Sequence, residues 1–167
     1  VGPLLRRHLA SSDPLTGYPD SLDDPALSMQ ALRGYLTGSI DAVLRIRRDD
    51  GPPRYLVVDY KTNWLGGFDG EVLKIGDYTP ARMTAAMMSA HYPLQALLYA
   101  VAVHRMLRWR QPDYDPAVHL GGILYLFVRG MAGPETPRMD GVPCGVFSWR
   151  PPASLVVELS ALLDGVL

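Results

Sequence analysis

The sequence has little lysine, a single cysteine and no long apolar run, and each scarcity excludes a class of protein. One cysteine, Cys144, excludes an internal disulfide and is typical of a reducing compartment. No apolar stretch approaches the roughly 20 residues that span a bilayer. The first residues also lack the pattern of a signal peptide. We therefore expect neither a disulfide-stapled nor a membrane-embedded protein.

The chain also lacks a large excess of either charge. Sixteen basic and 17 acidic residues leave a formal net charge of −1, which gives no global attraction to nucleic acid or to an anionic membrane. Its 167 residues, 48% of them apolar, suffice for one domain with a sizeable core. We predict a single domain over residues 1–167, with an N-terminal helix and loop over 1–28 and a core over 29–167.

Only two lysines accompany fourteen arginines, and one of them, Lys61, ends an apolar stretch that is typical of a buried strand. Asp59 lies two residues earlier, so the two side chains share a face of that strand. A carboxylate and an ammonium at the edge of a sheet can hold a metal and steer a water. They can equally form a plain ion pair, and the two residues alone leave both interpretations open.

A hairpin is predicted before this strand end. Residues 29–48 alternate as a strand, the turn-forming residues 49–53 follow, and a second strand covers residues 54–61. A turn centred near Gly51 places Asp41 opposite Lys61, at the open end of the hairpin. Asp41 and Asp59 then lie on one face about 5 Å apart, where two carboxylates repel unless a proton or cation lies between them. A divalent metal ion bound between the two carboxylates usually removes this repulsion.

The remaining pattern predicts further helices and strands. Residues 1–10 are expected to be helical, residues 11–28 and 62–78 to be loops, and the final helix to cover 154–167 with Leu155, Val156, Leu159, Leu162 and Leu163 as its apolar stripe. Further helices are predicted from residue 79 or 80 and over 93–110, and strands over 121–129 and 145–149. Gln95 and Tyr99 lie one turn apart on a helix, either as a buried polar pair or as a wall of the site.

Several isolated residues are given structural or surface roles. We expect His8 to be solvated, and His91, His104 and His119 to be structural or surface residues. Arg105, Arg108 and Arg110 are typical of a solvated helix end, although such a set can also contact phosphates. Trp64 is predicted to pack rather than to stack on a base.

Three short motifs, taken in this order, resemble the PD-(D/E)XK nuclease superfamily. They are residues 38–41 (Gly-Ser-Ile-Asp), 58–61 (Val-Asp-Tyr-Lys) and 95–99 (Gln-Ala-Leu-Leu-Tyr). The flanking residues 59–66, 91–95 and 121–130 are similar to the C-terminal nuclease domain of the RecB family of helicase–nucleases. The resemblance runs along the whole chain. It implies an α/β fold with a restriction-endonuclease-like core, in which helices flank a central mixed sheet.

The resemblance implies a role for each matching residue. Asp41 and Asp59 would be carboxylate ligands of Mg²⁺, and the backbone carbonyl of Tyr60 a further oxygen ligand. Lys61 would orient the attacking water and stabilise charge on the phosphate. Gln95 and Tyr99 would contact DNA or support the site.

The implied activity is Mg²⁺-dependent hydrolysis of DNA, as exonuclease or endonuclease, of the exodeoxyribonuclease V type. The implied setting is double-strand break repair and recombination in the bacterial cytoplasm, without a membrane partner. The implied partners are linear duplex ends and single strands of DNA, RecC-like and RecD-like subunits, and the helicase portion of a parent chain. Two alternatives stay open: a catalytically weak or inactive domain that docks subunits, and another nuclease of the superfamily such as an AddA-type enzyme.

One departure from the family pattern concerns the ligands. Sites of the RecB type also use a histidine on a helix well upstream of the aspartates, and this sequence starts after that position. We therefore expect an N-terminally truncated core with one metal ligand missing. His8 is too close to the following loop to take that role.

Overall fold

The computed structural model describes residues 1–23 and 37–165 and shows six strands, four of which form the central sheet. The strands are β1 (Ala42–Arg48), β2 (Gly51–Lys61), β3 (Leu120–Phe127), β4 (Arg138–Met139), β5 (Val142–Pro143) and β6 (Val146–Trp149). The central sheet has the order β1-β2-β3-β6, and β4 and β5 form a separate small hairpin. β2 runs antiparallel to β1 and parallel to β3. The predicted α/β class with a mixed sheet is confirmed.

Six α-helices flank this sheet in the described part of the chain. They are α1 (Gly2–His8), α2 (Tyr18–Ser21), α3 (Pro80–Ser89), α4 (Tyr92–Arg110), α5 (Pro116–His119) and α6 (Ala153–Leu163). Thr79 caps α3 by accepting a hydrogen bond from the backbone N–H of Arg82. His91, in the left-handed region at φ 53°, separates α3 from α4. No helix in residues 1–23 or 37–165 is long and apolar enough to cross a membrane.

The core lies between the sheet and helix α4. A parallel pair of strands needs a crossover, and α3 and α4 provide it between β2 and β3. α4 contributes the buried Leu97 and Val101, and β3 contributes Ile123, Tyr125 and Phe127, none of them more than 3% exposed. This packing holds the first turns of α4 over the end of β2, where the candidate site lies.

The predicted hairpin forms, but its register and extent were wrong. Ala42 pairs with Val58 and Leu44 with Leu56, two residues away from the predicted register. The turn consists of residues 49 and 50 rather than being centred on Gly51, because Arg48 already pairs with Gly51. Asp41 therefore does not face Lys61. A shift of two residues keeps every side chain on its predicted face, so the clustering of the site residues survives.

Other predicted boundaries also changed. The strand predicted over 29–48 begins only at Ala42, since residues 37–41 are irregular and residues 24–36 lie outside the described residues. In α6, Leu155, Val156 and Leu159 are buried as predicted, whereas Leu162 and Leu163 are 37% and 41% exposed. They lie in the last turn of the helix, beyond the elements that cover its first two turns.

Candidate active site

The last residues of β2 provide a buried ion pair. Nζ of Lys61 lies 2.7 Å from Oδ2 of Asp59, and the two side chains are 11% and 6% exposed. Both project towards α4, as the alternation along β2 predicts. The pair forms, yet its presence does not decide between the two open interpretations, because buried pairs contribute little net stability.

Aromatic and amide groups surround the Lys61 ammonium. Oε1 of Gln95 accepts a hydrogen bond from Nζ at 3.1 Å. The ring centroids of Tyr92 and Tyr125 lie 3.9 and 5.0 Å from Nζ, within the range of a cation–π interaction. Sequence reasoning missed both tyrosines. Tyr125 carried a usable signal, because a tyrosine in an otherwise apolar buried strand needs a partner for its hydroxyl.

The two predicted helix residues join this network. Nε2 of Gln95 donates to the Tyr99 hydroxyl at 3.0 Å, and Oε1 of Gln95 accepts from Tyr125 at 3.1 Å. The Tyr99 hydroxyl lies 2.7 Å from the backbone carbonyl of Ser39 and 3.3 Å from Oδ1 of Asp59. Burial raises the pKa of Tyr99, and the negative charge of Asp59 adds to this effect. Tyr99 therefore remains a proton donor at neutral pH.

Asp41 completes the site from the segment before β1. Its carboxylate is exposed, and Oδ2 accepts a hydrogen bond from the backbone N–H of Tyr60 at 2.9 Å. The N–H and C=O of one strand residue point to the same side. The pairing of β1 with β2 stops at Ala42 and Val58, so the Tyr60 carbonyl points past the end of the ladder, on the side of Asp41. The sequence predicted that Asp41 lies near Asp59 from the alternation of side chains between the two faces of each strand.

The oxygens gathered here suit a hard divalent cation. Oδ2 of Asp59 is buried, and the ammonium of Lys61 lies 2.7 Å from it. The other oxygen of Asp41 and the Tyr60 carbonyl lie at the same end of the hairpin. Within the described part of the chain, no group of three or more His, Cys, Asp or Glu side chains is placed to hold a metal ion. Two carboxylates and one carbonyl fit Mg²⁺, which usually keeps several waters.

Other residues singled out in the sequence lie away from this site. Arg105 was expected at a solvated helix end, but it donates to Oγ and the carbonyl of Ser160 and pairs with Asp164, which fastens α4 to α6. His8 was expected to be solvated, but it lies 2.6 Å from the carboxylate of Glu158 and is 17% exposed. Trp64 is 42% exposed.

The three remaining histidines have structural surroundings. Nδ1 of His91 contacts the hydroxyl of Tyr18 at 3.2 Å. His104 and His119 are each 3% exposed and contact Tyr114 and Asp115, respectively. Burial, aided by nearby arginines, lowers the pKa of His104, which therefore stays neutral in the folded chain. None of the three reaches the carboxylates of the site.

Comparison with known proteins identifies the family. No protein-family model matches the chain. The RecB subunit of the RecBCD enzyme from Mycolicibacterium smegmatis is 58% identical over 164 residues, which cover 98% of this chain and 15% of that protein. The RecB subunit from Escherichia coli K12 is 39% identical over 148 residues, which cover 89% of this chain and 11% of that protein. The chain therefore belongs to the RecB family, and it spans less than a sixth of the length of these relatives.

Proposed function

We propose that this chain hydrolyses phosphodiester bonds of DNA with the help of Mg²⁺, as the nuclease segment of a RecB-type helicase–nuclease. One observation carries the proposal. The end of β2 brings together the buried ion pair of Asp59 and Lys61, the exposed Asp41 and an open backbone carbonyl at Tyr60. Hydrolysis of a phosphodiester needs oxygen ligands for a cation and a fixed positive charge beside them.

In this proposal Asp41, Asp59 and the Tyr60 carbonyl hold the cation. When bound, Mg²⁺ supplies Lewis-acid polarisation of the phosphate and a more acidic water. Asp41 can bind the cation through its second carboxylate oxygen while Oδ2 still accepts a hydrogen bond from the Tyr60 N–H.

Lys61 would neutralise charge that develops on the phosphate and orient the attacking water. The ring of Tyr92 and the amide oxygen of Gln95 fix the position of the ammonium beside Asp59. A fixed charge needs no reorganisation during the reaction, which is why preorganised groups stabilise a transition state well. Tyr99 would hold the segment that carries Asp41, through its hydrogen bond to Ser39.

The family membership supports a wider proposal for the biological setting. These relatives are RecB subunits of the RecBCD enzyme. We infer that this chain acts together with RecC-like and RecD-like subunits and a helicase portion, on linear duplex ends and single strands, during double-strand break repair and recombination in the bacterial cytoplasm.

Cleavage of linear and single-stranded DNA tests the proposal. We expect the wild-type chain to cleave DNA in the presence of Mg²⁺, and cleavage to stop when a chelator removes the metal. The variants Asp59→Ala and Lys61→Ala should have lost this activity. Arg138→Ala is a suitable control, because Arg138 is exposed on the separate β4–β5 hairpin. Full activity in both site variants would exclude this assignment. A folded wild-type chain that leaves DNA intact would support the alternative of a subunit-docking domain.

A further inference from the structure

A row of exposed side chains extends from the candidate site along the edge strand β1. Val43 and Arg45 alternate onto one face, and Asp41 precedes them in the segment before β1. The pairing is irregular between Ile46 and Arg48, and Arg47 lines one hollow with Arg45. Arg45 pairs with Tyr55, which lies on the same face of β2 as Asp59. Both arginines are exposed. At about 3.3 Å per residue, they lie roughly 13 and 20 Å from Asp41.

A parallel row of exposed side chains extends along helix α4. Gln95 and Tyr99 begin it, and the helical spacing of three or four residues continues it through Met106 to Trp109. Met106 is 43% exposed and Trp109 77% exposed. The guanidinium of Arg110 lies 4.2 Å from the centroid of the Trp109 ring. Trp109 therefore presents most of its ring to solvent at the end of α4.

The two rows are linked at the end far from the site. The hydroxyl of Tyr55 donates to Oε1 of Gln111 at 3.0 Å, and Gln111 directly follows α4. Since Tyr55 pairs with Arg45, the hairpin arginines and the Trp109–Arg110 pair lie at the same end. β1 and α4 therefore flank the stretch between this end and the candidate site.

This far end is positively charged. Arg45, Arg47 and Arg48 line one hollow at this end. Within residues 1–23 and 37–165, no carboxylate forms an ion pair with Arg45, Arg47 or Arg110. The positive charge is local, because the chain as a whole has a net charge of −1.

We propose that the stretch between β1 and α4 binds a single strand of DNA that leads away from the scissile phosphate, with phosphates on Arg45 and Arg47 and a base stacked on Trp109. The proposal rests on the proposed nuclease function and adds a binding subsite to it. A basic groove with an exposed aromatic platform is what single-strand binding requires. A duplex offers no free base face to Trp109, and an acidic peptide does not need an aromatic platform.

Fluorescence anisotropy with labelled dT12 tests the subsite. The assay is run on the whole chain with a chelator present, so that binding is measured without cleavage. Arg45→Ala with Arg47→Ala should lower the slope of log K against log salt by about 1.4, or about 0.7 for each lost phosphate contact. Trp109→Ala should weaken binding by about 5- to 150-fold, the range for one stacked base, whereas Trp109→Phe should retain most of the affinity. Arg138→Ala, which removes one exposed charge on the separate β4–β5 hairpin, is the control and should bind as the wild type does.

Photocrosslinking locates the stacked base. A dT12 strand with one 5-iodouracil is placed at successive positions, and crosslinks to Trp109 are expected at one or two adjacent positions only. The proposal is overturned if the wild type does not bind dT12, if the salt slope of the double variant is unchanged, or if Trp109→Ala binds normally. Equal competition by poly-glutamate, or tighter binding of a 12-base-pair duplex that Trp109→Ala leaves unchanged, would also overturn it.

Failure of the nuclease proposal has a separate signature. Asp59→Asn should bind dT12 at least as tightly as the wild type, because a negative charge is removed, while it loses cleavage. Normal cleavage by Asp59→Asn would reject the nuclease site but would leave the binding result standing.

Discussion

Removing the charge of Lys61 alone is expected to cost the fold several kcal/mol, whereas removing both charges of its pair should cost little or nothing. In Lys61→Met the carboxylate of Asp59, 6% exposed, keeps only the Tyr99 hydroxyl at 3.3 Å. An uncompensated buried charge of this kind costs about 3–5 kcal/mol. Because neither partner is more than 11% exposed, solvent screening does not reduce this value greatly.

The double variant Asp59→Val with Lys61→Met removes both desolvation penalties. Similar apolar replacements of buried pairs are neutral or more stable by about 1–4 kcal/mol. Valine also suits a strand position next to the apolar Val57 and Val58. We therefore expect the double variant to regain all of the stability lost by Lys61→Met, and to have no nuclease activity.

Urea denaturation of the wild type, both single variants and the double variant measures the coupling energy in a double-mutant cycle. The partly exposed pair of Arg105 and Asp164 provides a control cycle, with an expected coupling below about 1 kcal/mol. If the double variant is as unstable as Lys61→Met, the pair stabilises the fold. That result would refute the reasoning that its charges are retained for chemistry.

Three further predictions concern the support of the site and of the fold. In Tyr99→Phe the Ser39 carbonyl loses its hydrogen-bond donor, so the free energy of unfolding should fall by about 1 kcal/mol. The same change should lower kcat for DNA cleavage with little change in KM, and unchanged kinetics would contradict this. Gly122→Ala should destabilise more than Gly133→Ala in urea titrations. Both glycines have positive φ, 103° and 63°, but a Cβ at Gly122 would lie 2.6 Å from the Trp149 carbonyl whereas Gly133 has open space; equal losses would contradict the clash. The hydrogen bond from His8 is the main cause that holds the pKa of Glu158 below its usual 4.5. The stability that this ionised carboxylate contributes is present above pH 4.5 and is lost as the pH falls and the group takes up a proton. The lower melting temperature expected for Glu158→Gln should therefore approach that of the wild type as the pH falls below 4.5. A difference in melting temperature that stays the same in acid would exclude the linkage.

The site residues could be predicted from the sequence because strand alternation tolerates some errors of register. Asp41 and Asp59 stay on one face whether the hairpin pairs as predicted or two residues away. The register itself depended on the turn, and residues 49–53 offered more than one two-residue turn. The start of β1 could not be predicted either, because alternation also continued through residues 37–41, which are irregular.

The surroundings of Lys61 could not be read from sequence distance. Tyr125 lies 64 residues after Lys61, and the parallel pairing of Asp59 with Tyr125 brings its ring close to the Lys61 ammonium. Tyr92 begins α4, and the packing of α4 over the end of β2 brings its ring close to the same ammonium. For the same reason His8 was expected to be solvated. Its partner Glu158 lies 150 residues away on α6, and only the packing of α1 against α6 brings the two side chains into contact.

The most direct measurement of the central claim is the rate of DNA cleavage as a function of Mg²⁺ concentration for the wild type, Asp59→Asn, Asp41→Asn and Lys61→Met. We predict a saturable dependence on Mg²⁺ for the wild type, no cleavage by Asp59→Asn, and a higher half-saturating Mg²⁺ concentration for Asp41→Asn. Lys61→Met should have a reduced maximum rate with little change in that concentration, because Lys61 acts on the phosphate and the water rather than as a ligand. Cleavage that is independent of Mg²⁺, or a wild-type rate in Asp59→Asn, would contradict the account.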